Sequence, residues 1–143
     1  MSELDDFLTL TLARQIEAEQ ALVNGDPEPR LAMTSINDPV TVFGAKVPVR
    51  RGWDEVSETL RWLAARWSGS TEYRFDLVAA DVSGDLAYTV GFERGSVRVD
   101  GGPTRPMTIR VTHVYKRIDG DWRIIHRHAD FPPVDQRQTG AAA

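Results

Sequence analysis

Cysteine is absent from the sequence, which excludes a disulfide framework, a thiol nucleophile and a zinc site built on sulfur. Long apolar runs are absent as well, and none approaches the roughly 20 residues that a transmembrane helix requires. The first residues, MSELDDFLTL, are acidic rather than basic, unlike a secretory signal. We therefore expect a cytoplasmic protein with no membrane partner.

Positive charge is scarce and dispersed. The 17 lysines and arginines are scattered among 21 acidic residues, and the net charge is -4 at pH 7. A nucleic-acid-binding surface needs clustered basic residues to neutralise phosphates, so we expect no nucleic acid partner. No glycine-rich phosphate cradle or nucleophile elbow appears either, and we expect no cofactor.

What the sequence does contain suits one folded domain. A chain of this size can bury about two thirds of its unfolded surface, and 41% of the residues are hydrophobic. We place the domain at residues 1–131. Residues 132–143, with the sequence PPVDQRQTGAAA, have nothing to bury, and we expect a disordered tail there.

The first half of the chain has helical periodicity. Leu4, Leu8, Leu12 and Ile16 repeat every four residues, and Asn24-Gly25 supplies a helix stop. A short β-branched segment follows. A second long helix is predicted from Gly52, because apolar residues then recur at spacings of three and four (Trp53, Val56, Leu60, Leu63, Ala64 and Trp67).

From Glu72 onward the period changes to two, and turn signals recur at Ser83-Gly84, 101–103 and Asp119-Gly120. The pattern predicts strands joined by hairpins. Helices followed by antiparallel strands indicate an α+β protein. The alternating residues expected on one apolar face are Tyr73, Phe75, Leu77 and Ala79, then Leu86, Tyr88, Val90 and Phe92, then Met107, Ile109, Val111, His113 and Tyr115.

Three strings carry a family resemblance: NDPVTV after the first helices, RGWDEV at the start of the second long helix, and TIRVTHVYKRIDGDWRIIHRHAD at the end. With the order of elements, they resemble the SnoaL-like and ketosteroid-isomerase-like proteins of the nuclear transport factor 2-like superfamily. The resemblance covers residues 4–131. It implies a cone-shaped α+β fold, in which a long N-terminal helix and a second helix pack on a strongly bent antiparallel sheet enclosing a pocket, often in a homodimer.

The resemblance does not carry over the steroid-isomerase mechanism. The proton-shuttling carboxylate of those enzymes matches Gly44 here, and their two oxyanion donors match Ala18 and roughly Val111. None of these side chains has a proton to exchange. The chemistry must therefore rest on other residues.

The register of the last hairpin decides which polar residues share a face. A two-residue turn at Asp119-Gly120 would pair His113 with His126, whereas a three-residue loop with a G1 bulge would pair His113 with Ile125. Hydrophobic pattern favours the first register. The second register is favoured by a resemblance to the association domain of calmodulin-dependent kinase, in which basic residues that line the pocket match His113 and Ala129. We adopt the second register.

In the adopted register His113 is the candidate acid or base. Asp38, before Pro39, is a second candidate acceptor at the pocket mouth, although Asp-Pro pairs also simply make turns. Arg127 would hold a carboxylate or enolate oxygen of the ligand, or else form a structural ion pair. Further ligand-binding side chains are expected at Tyr88, Tyr115, Val90, Val111, Ile125 and Trp53.

The other face of the hairpin would carry His126 and His128, with Trp122, Ile124, Arg110 and Thr112. A metal site would need these histidines to converge with His113, which only the two-residue turn permits. We therefore expect no metal. No helix remains to cover this polar and aromatic face, and we expect it to mediate a homodimer.

Two functions remain open at this point. One is a cofactor-independent isomerase, cyclase or hydratase acting on a small, largely apolar, carbonyl-bearing molecule. The other is a non-catalytic ligand-binding or dimerisation domain of the same fold. An enclosed cavity with His113 and a second titratable group within hydrogen-bond reach would favour the enzyme, whereas a cone plugged by aromatic side chains would favour the non-catalytic domain.

Overall fold

The computed structural model describes residues 2–133. The helical N-terminal half begins with α1 (Glu3–Asp6), which continues through a π-helical segment (Phe7–Leu12) into α2 (Ala13–Leu22). Two further helices are α3 (Glu28–Ala32) and α4 (Gly52–Arg66). Most of the predicted tail, residues 134–143, lies outside the described residues.

The ends of the first long helix follow from local chemistry. The Ser2 hydroxyl accepts a hydrogen bond from the Asp5 backbone, and the Asp5 carboxylate accepts one from the Ser2 backbone, which completes a capping box. At the other end Gly25 has a φ of +99°, a conformation that favours glycine. The predicted helix stop at Asn24-Gly25 is confirmed.

Seven strands form one bent sheet: β1 (Thr41–Phe43), β2 (Arg50–Arg51), β3 (Trp67–Ser68), β4 (Arg74–Ser83), β5 (Leu86–Val99), β6 (Arg105–Ile118) and β7 (Asp121–Asp130). Their order is β2-β1-β7-β6-β5-β3, with β4 also paired to β5. The sheet is mixed rather than wholly antiparallel, because β1 runs parallel to β7. The cone-shaped arrangement of helices on a sheet is the one expected.

The helices cover the inner face of this sheet. One apolar cluster joins α2 and α4 to β5 and β6 through residues such as Leu22, Leu60 and Val111. A second joins the N-terminal helix to the last hairpin through Phe7, Tyr115 and Ile124. Polar side chains occupy the inner face as well, and they form the site described below.

Strand β5 turns the opposite face inward from the one predicted. Ala87, Thr89, Gly91 and Glu93 are buried, whereas Tyr88 is 41% exposed. A Cβ on Gly91 would lie 2.4 Å from a β4 carbonyl oxygen, so the close approach of β4 admits only a very small residue there. The inward positions predicted for Tyr88 and Val90 are therefore wrong.

The last hairpin has a register that neither prediction describes in full. Ile118 pairs with Asp121 across a two-residue turn, in which Asp119 and Gly120 have φ values of +52° and +82°, as a type I′ turn requires. The expected three-residue loop is wrong. Farther along, a bulge shifts the pairing, and His113 lies opposite Arg127.

The bulge changes which side chains of β7 face inward. Tyr115 pairs with Ile124 and Val114 pairs with His126, so Ile125 is the extra residue. Ile124 is only 2% exposed. The predicted lining position of Ile125 is wrong, as is the outer position predicted for Ile124. His113 and Arg127 share the inner face as expected, but they do so because of the bulge at Ile125 and not because of a three-residue loop.

Candidate functional site

Six ionisable side chains meet in the interior of the cone, each contributed by a different part of the chain. We call them the buried polar cluster: Glu19 of α2, Arg30 of α3, Tyr73 just before β4, Glu93 of β5, His113 of β6 and Arg127 of β7. None of the six is more than 9% exposed. Charged groups at this depth need partners within the chain or in a ligand.

Arg127 is held by Glu93. Its Nη2 donates to Glu93 Oε1 at 2.8 Å and its Nη1 donates to Glu93 Oε2 at 3.2 Å, which is the bidentate geometry of a strong ion pair. Its Nη1 also lies 3.6 Å from Glu19 Oε2. Of the two roles left open for Arg127, the structure contains the ion pair, in which Glu93 supplies the counter-charge.

Glu93 is the ionised carboxylate of the cluster. Its Oε2 also accepts a hydrogen bond of 2.9 Å from the Tyr73 hydroxyl. Burial opposes ionisation, but the charge and hydrogen bonds of Arg127, with the hydrogen bonds of Glu19 and Tyr73, lower the pKa of Glu93. Glu93 thus accepts three hydrogen bonds, two from Arg127 and one from Tyr73.

Glu19 has the opposite tendency. Arg30 Nε donates to its Oε1, and Arg30 Nη1 donates to the Thr34 hydroxyl. Burial and the neighbouring charge of Glu93 nevertheless raise the pKa of Glu19, against the attraction of Arg127 and Arg30. The two carboxyl groups therefore differ, and Glu19 is the one that holds a proton more readily.

His113 is neutral in this environment. Burial, followed by the charges of Arg127 and Arg30, lowers its pKa well below the ordinary value of 6.5. Arg127 Nη1 lies 3.2 Å from His113 Nε2. Since a guanidinium only donates, Nε2 accepts and the imidazole proton sits on Nδ1.

Four fully buried side chains carry polar atoms without a hydrogen-bond partner among residues 2–133. We call them the unpartnered set: both amide atoms of Gln15, the Thr89 hydroxyl, His113 Nδ1 and the Tyr115 hydroxyl. All four residues are 0% exposed. Buried polar groups are almost always hydrogen-bonded. The Thr89 and Tyr115 hydroxyls lie near enough to interact with each other, whereas the Gln15 amide and His113 Nδ1 call for an occupant such as a ligand or water.

The unpartnered set is contiguous with the buried polar cluster. Thr89 lies opposite His113 in the β5–β6 pairing, and the rings of His113 and Tyr115 are 6.1 Å apart. Gln15 lies one helical turn before Glu19, on the same face of α2. Donors, acceptors and two carboxyl groups therefore lie together between α2 and the sheet.

Other predicted site residues lie outside the buried polar cluster. Val111 is 2% exposed and belongs to the main apolar cluster, against which Trp53 also packs. Tyr88 and Val90 lie on the outer face of the sheet. Asp38 is exposed in the turn before β1 and makes no hydrogen bond or ion pair with any residue in 2–133.

Sequence reasoning missed Gln15, Glu19, Arg30, Tyr73 and Glu93. A signal for two of them was present in α2. Gln15 and Glu19 lie on the buried stripe of the helix with Leu12 and Leu22, where polar side chains interrupt an apolar pattern. Such an interruption marks either a paired structural group or a functional site.

The outer face of the sheet carries His126 and His128, away from His113. The ring of Phe43 contacts both imidazoles, with centroid distances of 5.2 and 5.4 Å, and the Thr41 hydroxyl lies 2.7 Å from His126 Nδ1. A cavity of about 340 Å³ opens nearby. No group of three potential metal ligands occurs among residues 2–133.

Residues 17–133 match the family model of the SnoaL-like domain. The chain belongs to the SnoaL-like domain family. No curated protein matches this SnoaL-like sequence. No helix of the described part of the chain is both long enough and apolar enough to span a membrane.

Solved structures share the fold of this SnoaL-like domain. A "putative dehydratase from the NTF2-like family" of Streptomyces avermitilis has a TM-score of 0.72 and 23% identity, over 93% of this chain and 100% of that one. A ketosteroid isomerase-like protein from Erwinia carotovora atroseptica has a TM-score of 0.73 and 17% identity, over 89% and 98%. A nuclear transport factor 2-like superfamily protein from Salmonella enterica has a TM-score of 0.70 and 20% identity, over 90% of each chain.

Proposed function

We propose that this SnoaL-like domain binds a carbonyl-bearing small molecule between α2 and the inner face of its sheet. Without a cofactor, it would transfer a proton between atoms of that molecule. The observation that carries the proposal is the unpartnered set, which lies beside two carboxyl groups of opposite pKa tendency. Separated pKa values in neighbouring carboxyl groups are typical of acid–base sites.

His113 would polarise the carbonyl oxygen of the ligand. As a neutral imidazole with its proton on Nδ1, it offers a donor that no residue in 2–133 uses. The Tyr115 hydroxyl is a second candidate donor, and burial raises its pKa, so that it stays protonated. Two fixed donors in a water-poor site stabilise negative charge that develops on an oxygen. Val111 and Tyr115 flank His113 on β6 and suit an apolar carbon skeleton.

Glu19 would carry the proton. A raised pKa brings a carboxyl group nearer to neutral pH, where it can both accept and return a proton. Glu93 suits this role poorly, because Arg127 and Tyr73 already occupy its oxygens. Arg127 is a positioning residue in this scheme, since it orients the His113 imidazole and balances Glu93.

Isomerisation, dehydration and cyclisation next to a carbonyl all require a base and hydrogen-bond donors to the carbonyl oxygen. In each, a base removes a proton from the carbon beside the carbonyl while donors stabilise the resulting enolate oxygen. The Streptomyces and Erwinia neighbours carry names of this class. The proposal therefore keeps the reaction class expected from the sequence and moves the proton carrier from His113 or Asp38 to Glu19.

The alternative function is ligand binding without proton transfer. It is favoured by one observation: the charged groups of the buried polar cluster pair with one another, as in a structural network. In that case the unpartnered set would hold a ligand, and Glu19 would only neutralise Arg30.

Exchange of hydrogen for deuterium at the carbon beside a ketone separates the two functions. We would follow pentan-2-one and 4-hydroxypentan-2-one in D₂O by NMR, with the native protein, Glu19→Gln and the exposed control Glu17→Gln. The proposal predicts exchange above the buffer rate, reduced about 100-fold or more by Glu19→Gln and unchanged by Glu17→Gln. Binding without exchange supports the alternative, and exchange that survives Glu19→Gln contradicts the assigned role.

A further inference from the structure

The charges of the buried polar cluster restrict the kind of ligand that the site can accept. Each guanidinium already faces a carboxyl group: Arg30 faces Glu19, and Arg127 faces Glu93. A carboxylate or phosphate ligand would find no cation without a partner in this cluster. Burying such a charge without compensation is costly, so an uncharged ligand fits better.

The unpartnered set specifies which hydrogen bonds the ligand should make. On the sheet side, His113 Nδ1 is a donor. The Thr89 and Tyr115 hydroxyls interact with each other, which leaves one of their two protons to donate to a ligand. These atoms match one carbonyl oxygen. On the helix side, Gln15 offers both a donor and an acceptor from one amide. A hydroxyl group, which both accepts and donates, matches that amide.

The fold puts these two walls opposite each other. Phe7 of the N-terminal helix packs edge-on against the Tyr115 ring, with centroids 5.0 Å apart. Ala18 of α2 belongs to the same apolar cluster as Tyr115 and Ala87. Gln15 lies on the buried stripe of α2, one turn before Glu19, whose Oε2 lies 3.6 Å from Arg127 Nη1 of β7. The buried amide of Gln15 is therefore on the side of the helix that faces the sheet.

We infer that the ligand of this site is an uncharged hydroxy ketone, with its carbonyl oxygen against His113, Thr89 and Tyr115 and its hydroxyl against the Gln15 amide. The inference rests on the proposed function, because it names the substrate class of the same site. It adds two requirements that the proposed function does not make, namely the absence of charge and the presence of the hydroxyl.

Three small probes with closely matched shapes test both requirements. The first is 4-hydroxypentan-2-one, and the second is pentan-2-one, which lacks the hydroxyl. The third is 3-hydroxybutanoate, in which a carboxylate oxygen replaces the methyl group beside the carbonyl. Affinities would be measured by NMR titration of the native protein, with the His113 imidazole resonances as the local reporter.

The hydroxy ketone should bind about 10-fold more tightly than pentan-2-one, as one additional hydrogen bond implies, and 3-hydroxybutanoate should bind more weakly than either ketone. Gln15→Met, which keeps the length of the side chain and removes its amide, should make the two ketones bind equally. Gln20→Met, an exposed change on the same helix, should leave the preference intact.

The outcomes separate the inference from the proposed function. If both ketones bind and exchange but show no preference, or if 3-hydroxybutanoate binds more tightly, the inference is wrong and the proton-transfer function stands. If none of the probes perturbs His113, both are contradicted. The three-probe comparison on the native protein distinguishes these outcomes even if Gln15→Met does not fold.

Discussion

Arg127 Nη1 donates to His113 Nε2 over 3.2 Å, and this bond determines which nitrogen of the imidazole carries the proton. The proton on Nδ1 is then directed away from the ion pair and remains available to a ligand. In the proposed function the histidine would therefore act in its neutral form as a donor, whereas the sequence suggested a group that changes charge near neutral pH. In that function the acid–base role passes to Glu19.

Arg127→Met should destabilise the fold by about 3–5 kcal/mol, because it leaves Glu93 buried without its counter-charge. Urea unfolding would measure the loss. The matched control is Arg110→Met, which breaks the half-exposed ion pair with Asp130 and should cost about 1 kcal/mol or less. Adding Glu93→Leu to Arg127→Met should recover part of the stability. If Arg127→Met and the control Arg110→Met lost the same free energy of unfolding, that result would argue against a structural ion pair between Arg127 and Glu93.

The free energy of unfolding should fall as the pH drops below 6.5. The folded state lowers the pKa of His113 below that value, so the unfolded chain binds the proton first and is favoured in acid. The contribution of His113 is complete above pH 6.5, and its slope is at most about 1.4 kcal/mol per pH unit. Urea unfolding between pH 7.5 and 5 would measure it.

His113→Gln should flatten this pH dependence, while preserving an acceptor for Arg127. The pKa of His126 is lowered as well, through burial and His128, so His126→Gln should remove a second contribution of the same sign. A slope that persists after both substitutions would show that carboxyl groups, rather than histidines, control acid stability.

The protein should be a homodimer at micromolar concentration, as sedimentation would show. The outer sheet face exposes apolar side chains that no helix of the described chain covers: Phe43, Val78, Leu86 and Tyr88 are 41–64% exposed. Val78→Lys should yield a folded monomer, because burying the ammonium at an interface is costly. Leu10→Lys, an exposed change on the N-terminal helix, should leave the dimer intact. A native protein that sediments as a monomer would contradict the prediction.

Purified protein should contain no stoichiometric zinc, iron or nickel. His113 lies on the inner face of the sheet and His126 and His128 lie on the outer face, so the three imidazoles cannot share one ion. Elemental analysis of protein purified without chelators provides the measurement. One tightly held metal ion per chain would require a different register for the last hairpin.

The sequence predicted elements whose signals are local. Gly25 ends the first helix, the RGWDEV string opens α4, and the alternation in β6 gave the correct inner face, with Val111, His113 and Tyr115 buried. In each case a glycine or an unbroken period within a few neighbouring residues decides the outcome.

Strand β5 and the carboxyl pair depended on packing that no local pattern records. Apolar alternation placed Tyr88 inside, but Thr89 and Gly91 face inward instead, and β4 approaches Gly91 too closely for a larger residue. Glu93 then enters the cone. Glu19 reaches it from a helix distant in sequence, and only the fold brings these two carboxyl groups to Arg127.

The extra residue at Ile125 also affects how relatives should be compared. A SnoaL-like domain without this bulge reaches the same inward-facing positions of the last strand with one residue fewer. An ungapped alignment of that strand would then equate Arg127 with a neighbour's outward-facing side chain. Placing the gap at Ile125 restores equivalent positions, and a search for the Glu93–Arg127 pair in other genomes should allow for that single insertion.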